Sequence, residues 1–130
     1  MQLNPQPHRR IWLLLGSGMV VSVVVLSLIP IDVDLSEGRD KLAHFIAYGS
    51  MTFWFAMLCR GRLRQVGIAL GFAAMGVAIE FLQRMTGYRT FEVADMAANA
   101  IGAGMGWTLA QTPLRHALDW TEGLLARLNR

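Results

Sequence analysis

The sequence predicts an all-α fold: a polytopic membrane bundle of four transmembrane helices followed by an amphipathic C-terminal helix. Two observations predict it. The chain of 130 residues is 54% hydrophobic and 16% charged, whereas soluble domains carry about 25% charged residues. The charged residues also occur in short clusters between long uncharged segments, several of which approach the length that crosses about 30 Å of hydrocarbon. A soluble globular enzyme and a disordered chain are therefore excluded.

The first predicted span covers residues 11–29, which carry no formal charge, follow His8, Arg9 and Arg10, and end before Pro30. A helix of this length reaches about 28 Å. The alternative is a secretory signal peptide, which shares the basic start and the apolar run. The run is long for a signal peptide and no Ala-x-Ala-like cleavage site follows it, so we favour a retained helix.

The remaining spans are predicted over residues 42–59, 65–82 and 96–110. The third span extends through Glu80, because its uncharged part ends at Ile79 and is too short to cross the bilayer alone. From Pro113 onward, leucines alternate with charged residues at helical spacing, which is typical of a helix lying in the membrane interface, here over about residues 113–129. No repeat or low-complexity linker divides the chain, so residues 1–130 are expected to form a single domain.

The charged residues predict the orientation of the chain. Eight of the 12 Lys and Arg residues lie on the side that contains both termini, so both termini are predicted to be cytoplasmic. Seven of the nine acidic residues fall on the outer side: Asp32, Asp34, Glu37, Asp40, Glu80, Glu92 and Asp95. This bias points to a functional outer face. The basic residues adjoin apolar segments and form no aromatic-laced patch, so nucleic acid is not an expected partner.

Polar residues concentrate where the second, third and fourth helices meet the outer leaflet. On the second helix, Asp40 and His44 share a face at i, i+4, and Lys41, His44 and Tyr48 share one at i, i+3, i+7. The third and fourth helices bring further polar side chains to the same depth: Glu80, Gln83, Asp95 and Asn99. An ionised group at mid-membrane costs about 2.5–3.5 kcal/mol. We therefore expect this cluster to pair internally or to contact water.

Small residues at four-residue spacing continue these polar faces. The pairs are Gly67 and Gly71, Ala98 and Gly102, and Gly102 and Gly106. Such pairs let membrane helices approach closely, so the polar side chains are expected to point into the bundle. The same faces can serve contacts between chains, and the sequence leaves an oligomer open.

Several polar residues also have a purely structural interpretation. Asp40 can cap the second helix, and Asp95 can favour the positive end of the fourth. For Lys41 we favour an interfacial anchor that extends to water. Glu80 can form a surface pair with Arg84, although its place on the small-residue face favours the interior.

Three motifs in the polar region carry a family resemblance. They are the segment from Asp40 to Phe45 with Tyr48, the segment 80–83 with Arg89, and the segment 95–102. In this order and spacing they resemble the VanZ-like family of small bacterial membrane proteins, over about residues 40–106. The family is named after a protein associated with low-level resistance to the glycopeptide teicoplanin in Gram-positive bacteria. The resemblance implies a bacterial cytoplasmic membrane protein with these signature positions, without assigned chemistry: Asp40, Lys41, His44, Tyr48, Glu80, Gln83, Arg89, Asp95 and Asn99.

Two functions are compatible with this pattern. In the first, the outer site binds a lipid headgroup or a partner such as a lipid-linked envelope precursor or a glycopeptide, through Lys41, Tyr48, Gln83, Arg89 and Asn99. In the second, the protein is an enzyme acting on a lipid-linked or phosphate-containing substrate. The catalytic residues would then be His44 as acid or base, with Asp40, Glu80 and Asp95 around it. No nucleophile motif such as Gly-x-Ser-x-Gly is present, so the sequence leaves catalysis open.

Other functional classes are disfavoured. Small multidrug transporters look like four-helix bundles with a carboxylate deep in the first helix, and residues 11–29 contain none. His44, Glu80 and Asp95 have donor types that bind metal ions, but no paired-histidine motif supports a site. We therefore expect no metal and no cofactor. Cys59 is the only cysteine, which excludes an intramolecular disulfide.

Overall fold

The computed structural model describes residues 8–30 and 37–128, apart from the side chain of Glu37. Within these residues the fold is all-α. Five α-helices and one 3₁₀ helix follow each other along the chain: α1 (Arg9–Leu28), α2 (Glu37–Met57), α3 (Arg62–Met85), α4 (Val93–Leu109), the 3₁₀ helix (Pro113–His116) and α5 (Ala117–Leu128). Asp32 and Asp34, which the sequence analysis assigns to the outer side, lie outside the described residues, as does Asn129 at the end of the predicted interfacial helix.

The helix ends follow from local sequence. Helix α1 stops at Leu28 because Ile29 precedes Pro30 and adopts an extended backbone, with φ −82° and ψ 149°. After α3 the chain turns at Gly87, whose φ of 78° lies in the left-handed region that favours glycine. The 3₁₀ helix begins at Pro113, and the side chain of Thr112 accepts a hydrogen bond from the backbone of Leu114.

Helices α2 and α4 form the closest pair in the bundle, with α3 packed on both and α1 packed on α2 and α3. Glycine makes the close pair possible. A Cβ atom on Gly102 would overlap the carbonyl oxygen of Phe45, and one on Gly106 would overlap the carbonyl oxygen of Gly49. The predicted close approach at Gly102 and Gly106 is therefore confirmed within the chain.

The corresponding prediction for Gly67 and Gly71 is wrong within the described chain. A Cβ on either residue would meet nothing within 4 Å. Both glycines lie on the part of α3 that turns away from its neighbours, so four-residue spacing alone does not tell which face is buried. Contact between chains through this face stays a prediction.

The distribution of polar and apolar side chains is the reverse of that in a soluble protein. The buried side chains include six polar or charged ones: Thr52, Gln65, Glu80, Gln83, Asp95 and Asn99. Meanwhile large apolar side chains on every α-helix are exposed, such as Leu14 at 72% on α1, Leu70 at 65% on α3 and Ile101 at 62% on α4. Exposed apolar surface on this scale marks contact with a membrane or with a partner protein.

Two helices, α1 and α3, are long and apolar enough to cross a membrane, judged by length and composition. Helix α4 has only 17 residues, and α2 begins with a charged segment, so neither meets the same criterion. Together with the family described below, the two apolar helices indicate a membrane protein.

Helix α5 packs at the end of the bundle opposite the polar residues. Leu118 forms a small apolar core with Met57 and Leu58, against which Trp12 and Trp54 also pack. The rings of Trp12 and Trp54 lie edge to face, with centroids 6.0 Å apart. Helix α5 is thus part of the packed structure and holds the start of α1 against the end of α2.

A carboxylate on α5 strengthens this attachment. Glu122 of α5 accepts hydrogen bonds from Trp12 Nε1 at 2.7 Å and from the backbone of His8 at 3.1 Å, and its second oxygen lies 2.6 Å from His8 Nδ1. Burial by itself raises the pKa of Glu122, but these hydrogen bonds lower it by more, so the pKa lies below its usual value.

Candidate functional site

The polar residues of four helices meet at one end of the bundle. The C-terminal ends of α1 and α3 and the N-terminal ends of α2 and α4 converge there, because consecutive helices run in opposite directions. Gln83 of α3 donates a hydrogen bond to the carbonyl of Ser27 at the end of α1, at 2.8 Å. We call the following residues the polar cluster: Asp40, Lys41, His44, Glu80, Glu92, Asp95 and Asn99.

His44 lies at the centre of the polar cluster. Its Nδ1 is 3.0 Å from Oδ1 of Asn99. Because an amide oxygen can only accept, this contact places the ring proton on Nδ1. The other ring nitrogen, Nε2, lies 3.9 Å from a carboxylate oxygen of Asp40 and 3.9 Å from one of Asp95. Asn99 thus orients the ring so that Nε2 faces two carboxylates.

Lys41 and Glu92 link α2 to the segment that precedes α4. Lys41 Nζ lies 2.9 Å from Glu92 Oε2 and 3.9 Å from Asp95 Oδ1. The backbone amide of Glu92 donates a hydrogen bond to Glu80 Oε1 at 2.6 Å. The lysine side chain is about one third exposed (32%), so it takes part in the polar cluster and also reaches the surface.

Several buried polar atoms have no hydrogen-bond partner among the described residues. Asp95 Oδ1 and Glu80 Oε2 lie at this end of the bundle, and the hydroxyls of Tyr48 and Thr52 lie further along α2. Proteins rarely leave such atoms unpaired, and the cost is greatest in an apolar surrounding. Water or a bound ligand that reaches these atoms would relieve this cost.

A cavity of about 410 Å³ adjoins the polar cluster. Val23 and Leu26 of α1 give part of its lining an apolar character, and Asp40, His44 and Gln83 contribute polar groups. The lining also includes Ser27, Ala43, Ala47, Tyr48 and Arg89. The guanidinium of Arg89 is within 3.5 Å of the carbonyl of Leu26, which holds it at the rim of the cavity. The cavity therefore combines apolar surface, an imidazole and a cation.

The structure brings all nine predicted site residues to this one end, in two adjoining groups. Asp40, Lys41, His44, Glu80, Asp95 and Asn99 belong to the polar cluster. Tyr48, Gln83 and Arg89 line the cavity, which Asp40 and His44 also border. Their roles in binding or catalysis stay predictions.

Two structural interpretations can now be decided. Helix α2 begins at Glu37, so Asp40 lies one turn inside the helix and does not cap it. Glu80 is 1% exposed and bonds to the backbone of Glu92. The expected interior position of Glu80 is therefore confirmed, and the surface pair with Arg84 is excluded, since Arg84 lies instead over the ring of Phe91.

Sequence reasoning missed Glu92 in the polar cluster and the buried Thr52 further along α2. From the sequence, Glu92 is recognised only as one of the outer acidic residues, although in the structure it contacts both Lys41 and Glu80. Thr52 is completely buried, and its position four residues after Tyr48 extends the polar face of α2 by one more turn. That spacing is a signal available in the sequence, whereas the contacts of Glu92 depend on how the chain turns between α3 and α4.

Comparison with known proteins gives a family for this arrangement. No solved structure matches the chain. An uncharacterized protein of Schizosaccharomyces pombe is 33% identical over 74 residues, which is 55% of this chain and 46% of the yeast protein. The chain thus spans about half the length of this curated relative. The profile of the VanZ/LLP1 family matches residues 4–114, which include every residue of the polar cluster and every residue that lines the cavity. The chain belongs to the VanZ/LLP1 family.

Proposed function

We propose that the protein is a single-domain, four-span membrane protein that binds the phosphate-containing headgroup of a membrane lipid or of a lipid-linked envelope precursor. The cavity carries this proposal, because it combines the two kinds of surface that such a ligand presents. The apolar side chains of Val23 and Leu26 suit a hydrocarbon chain, and the polar groups of the lining suit a headgroup.

Helices α2 and α4 are included as spans because of their place in the bundle. Helix α2 packs on α1, α3 and α4, and α4 packs on α2 and α3. The outward faces of α2 and α4 carry exposed apolar residues such as Leu42, Ile46 and Ile101. A lipid environment accounts for these faces, since apolar side chains there lose nothing by pointing outward. The excess of Lys and Arg on the side that contains the termini supports a topology with both termini in the cytoplasm and the polar cluster at the outer face.

Arg89 is the residue that best fits a phosphate. A guanidinium offers a planar set of donors that matches phosphate oxygens, and Arg89 reaches the cavity at its rim. Tyr48 adds a buried hydroxyl without a partner in the described chain. Both groups are therefore placed to hold a headgroup whose acyl or prenyl chain lies against α1.

The test compares lipid binding by two arginine variants. The purified protein is stripped of lipid in detergent and titrated with phosphatidylglycerol, and binding is followed by native mass spectrometry. Arg89→Gln should weaken binding about ten-fold or more, since a hydrogen bond to a charged group contributes about 1.5–3 kcal/mol. Arg84→Gln is the matched control, because Arg84 stacks on Phe91 and does not line the cavity. Equal affinities of the two variants would contradict the proposal.

The family name extends the proposal to glycopeptide susceptibility. Cells that express the protein should tolerate more teicoplanin than control cells if its ligand is an envelope precursor. Protection should be lost in His44→Ala, Glu80→Gln and Asp95→Asn at unchanged abundance in the membrane. The yeast relative favours a ligand that bacterial and eukaryotic membranes share. If the protein binds lipid but gives no protection, the lipid-binding proposal stands and the link to teicoplanin resistance is wrong.

A second candidate is an enzyme that hydrolyses a phosphate-containing lipid. It is favoured by one observation: His44 borders the cavity and its Nδ1 contacts Asn99, so Nε2 is the ring nitrogen that would act as acid or base. Release of inorganic phosphate from a phosphatidic acid micelle by the purified protein, abolished in His44→Ala, would support catalysis. Tight binding of the same lipid without turnover would contradict it.

A further inference from the structure

Asp40, His44 and Asp95 form a group with the donor types and the spacing of a metal site. One atom from each residue lies within 4.8 Å of the other two, and His44 Nε2 is 3.9 Å from both carboxylates. Oxygen and nitrogen ligands bind Zn²⁺ at about 2.0–2.2 Å, so two of them stand roughly 3.3–3.6 Å apart across a tetrahedral ion. Small side-chain movements would close this group around an ion.

The imidazole of His44 is already oriented as a metal ligand. Metal-binding histidines commonly donate the proton of one ring nitrogen to a carbonyl or carboxylate, which fixes the ring and leaves the other nitrogen for the metal. Asn99 Oδ1 accepts that proton at 3.0 Å. Nε2 therefore points toward Asp40 and Asp95, where a metal ion would take its lone pair.

Asp95 supplies an independent observation that a cation belongs here. The residue is 6% exposed, and its Oδ1 accepts no hydrogen bond from the described residues. An ionised carboxylate this buried is costly unless it is paired or coordinates a metal. Lys41 Nζ stays 3.9 Å from it and is closer to Glu92, at 2.9 Å. The other oxygen, Oδ2, faces His44 Nε2 at 3.9 Å, so a cation bound between them would neutralise the carboxylate.

We propose that Asp40, His44 and Asp95 bind a divalent transition-metal ion of the Zn²⁺ type. The imidazole disfavours Mg²⁺ and Ca²⁺, which prefer oxygen ligands only. Three protein ligands leave a fourth position of a tetrahedral ion open. Because Asp40 and His44 also line the cavity, that position is accessible from it. This site goes beyond the proposed lipid binding and does not depend on it.

Metal binding by the full chain in detergent tests this proposal. The protein is purified without a histidine tag, stripped with a chelator, dialysed and titrated with Zn²⁺, and the bound metal is counted by mass spectrometry. We expect one Zn²⁺ per chain and a tetrahedral visible spectrum when Co²⁺ replaces it. His44→Ala and Asp95→Asn should weaken binding more than about 100-fold, since loss of a supporting partner alone costs about 10–100-fold.

The matched control is His116→Ala. His116 also lies near an aspartate, with Nδ1 3.1 Å from Asp119, but this pair is exposed on the last part of the chain. The control should bind Zn²⁺ as the wild type does. Asp40→Asn provides a ligand variant at a partly exposed position, useful if Asp95→Asn lowers the unfolding temperature.

Two results would overturn the site. One is a wild type that holds no stoichiometric Zn²⁺ at micromolar concentrations, and the other is unchanged affinity in folded His44→Ala and Asp40→Asn. Arg89→Gln separates this proposal from lipid binding. It should lose lipid affinity and keep its Zn²⁺, so that failure of either property identifies which of the two proposals is wrong.

Discussion

His44 of α2 and Asn99 of α4 are joined by a hydrogen bond of 3.0 Å between Nδ1 and Oδ1, although 55 positions separate them in the chain. The bond ties together the two helices that pack most closely and sets the direction in which the imidazole faces the two carboxylates. It also favours the Nδ1–H tautomer of the neutral ring, because the amide oxygen cannot donate.

The first prediction concerns this bond. Asn99→Ala should remove the acceptor, so that the proton on the neutral ring of His44 no longer prefers Nδ1, and it should destabilise the protein by about 1–3 kcal/mol. Nitrogen-15 NMR of labelled histidine reports the tautomer directly. Asn99→Asp is the control, since it keeps an acceptor at the same position. An unchanged tautomer in Asn99→Ala would show that the bond does not orient the ring.

The second prediction concerns the contact between α2 and α4. Gly102→Ala should destabilise the bundle by about 1–3 kcal/mol, because the new Cβ would overlap the backbone carbonyl of Phe45. Gly104→Ala on the same helix is the control, as its Cβ would meet nothing within 4 Å. It should be neutral or stabilising, by up to about 1 kcal/mol. Thermal unfolding in detergent compares the two, and equal effects would refute the close packing.

The third prediction is a pH dependence at the opposite end of the bundle. The pKa of Glu122 is lowered in the folded protein by the bonds from His8 and Trp12. Its contribution to stability is therefore complete above the ordinary glutamate pKa and disappears as the pH falls through the lowered folded value. Glu122→Gln should flatten this acid limb of the stability curve. Chemical denaturation of both proteins across the acid range checks this, and an acid limb as steep in Glu122→Gln as in the wild type would contradict the role of Glu122.

The fourth prediction concerns topology. In intact cells Cys59 should react with a membrane-permeant maleimide and resist an impermeant one, because it lies at the end of the bundle that contains the N-terminus of α1. A second reporter is Tyr88→Cys in a Cys59→Ser background. Tyr88 is 52% exposed and lies in the turn beside the polar cluster, so this cysteine should react with the impermeant reagent. The reverse pattern would place the polar cluster in the cytoplasm.

The fifth prediction separates ligand binding from packing at two buried hydroxyls. Tyr48→Phe should weaken lipid binding without loss of stability, because the hydroxyl borders the cavity and has no partner in the described chain. Thr52→Val is the control, since Thr52 is equally buried but does not line the cavity. Native mass spectrometry with phosphatidylglycerol gives the affinities. If both variants bind as the wild type does, Tyr48 is a packing residue only.

Much of the helical architecture was predictable because it depends on local properties. Uncharged segments, Pro30 and the turn at Gly87 lie next to the helices whose ends they mark, so a window of about 20 residues contains the necessary information. The convergence of polar residues was predictable as well. Once helices alternate in direction, the start of α2, the end of α3 and the start of α4 must meet.

The pairing within the polar cluster was less accessible. The sequence suggested Glu80, His44 and Asp95 as a set of metal-type donors. The structure places Asp40 beside His44 and Asp95, and Glu80 instead accepts a hydrogen bond from the backbone of Glu92. Which carboxylate faces the imidazole depends on the rotation of α3 and α4 about their axes. Four-residue spacing defines a face on each helix but does not say what that face contacts.

The sequence by itself determined the helical class, the membrane character of its apolar segments and the end of the bundle where the polar residues gather, because hydropathy and spacing act over short stretches of chain. Only the tertiary structure decided which atoms meet: His44 with Asn99, Lys41 with Glu92, and Glu122 with His8. Such pairs depend on the close approach of helices at Gly102 and Gly106 and on the docking of α5. These contacts join residues far apart in sequence, and their geometry is fixed by packing rather than by any local pattern.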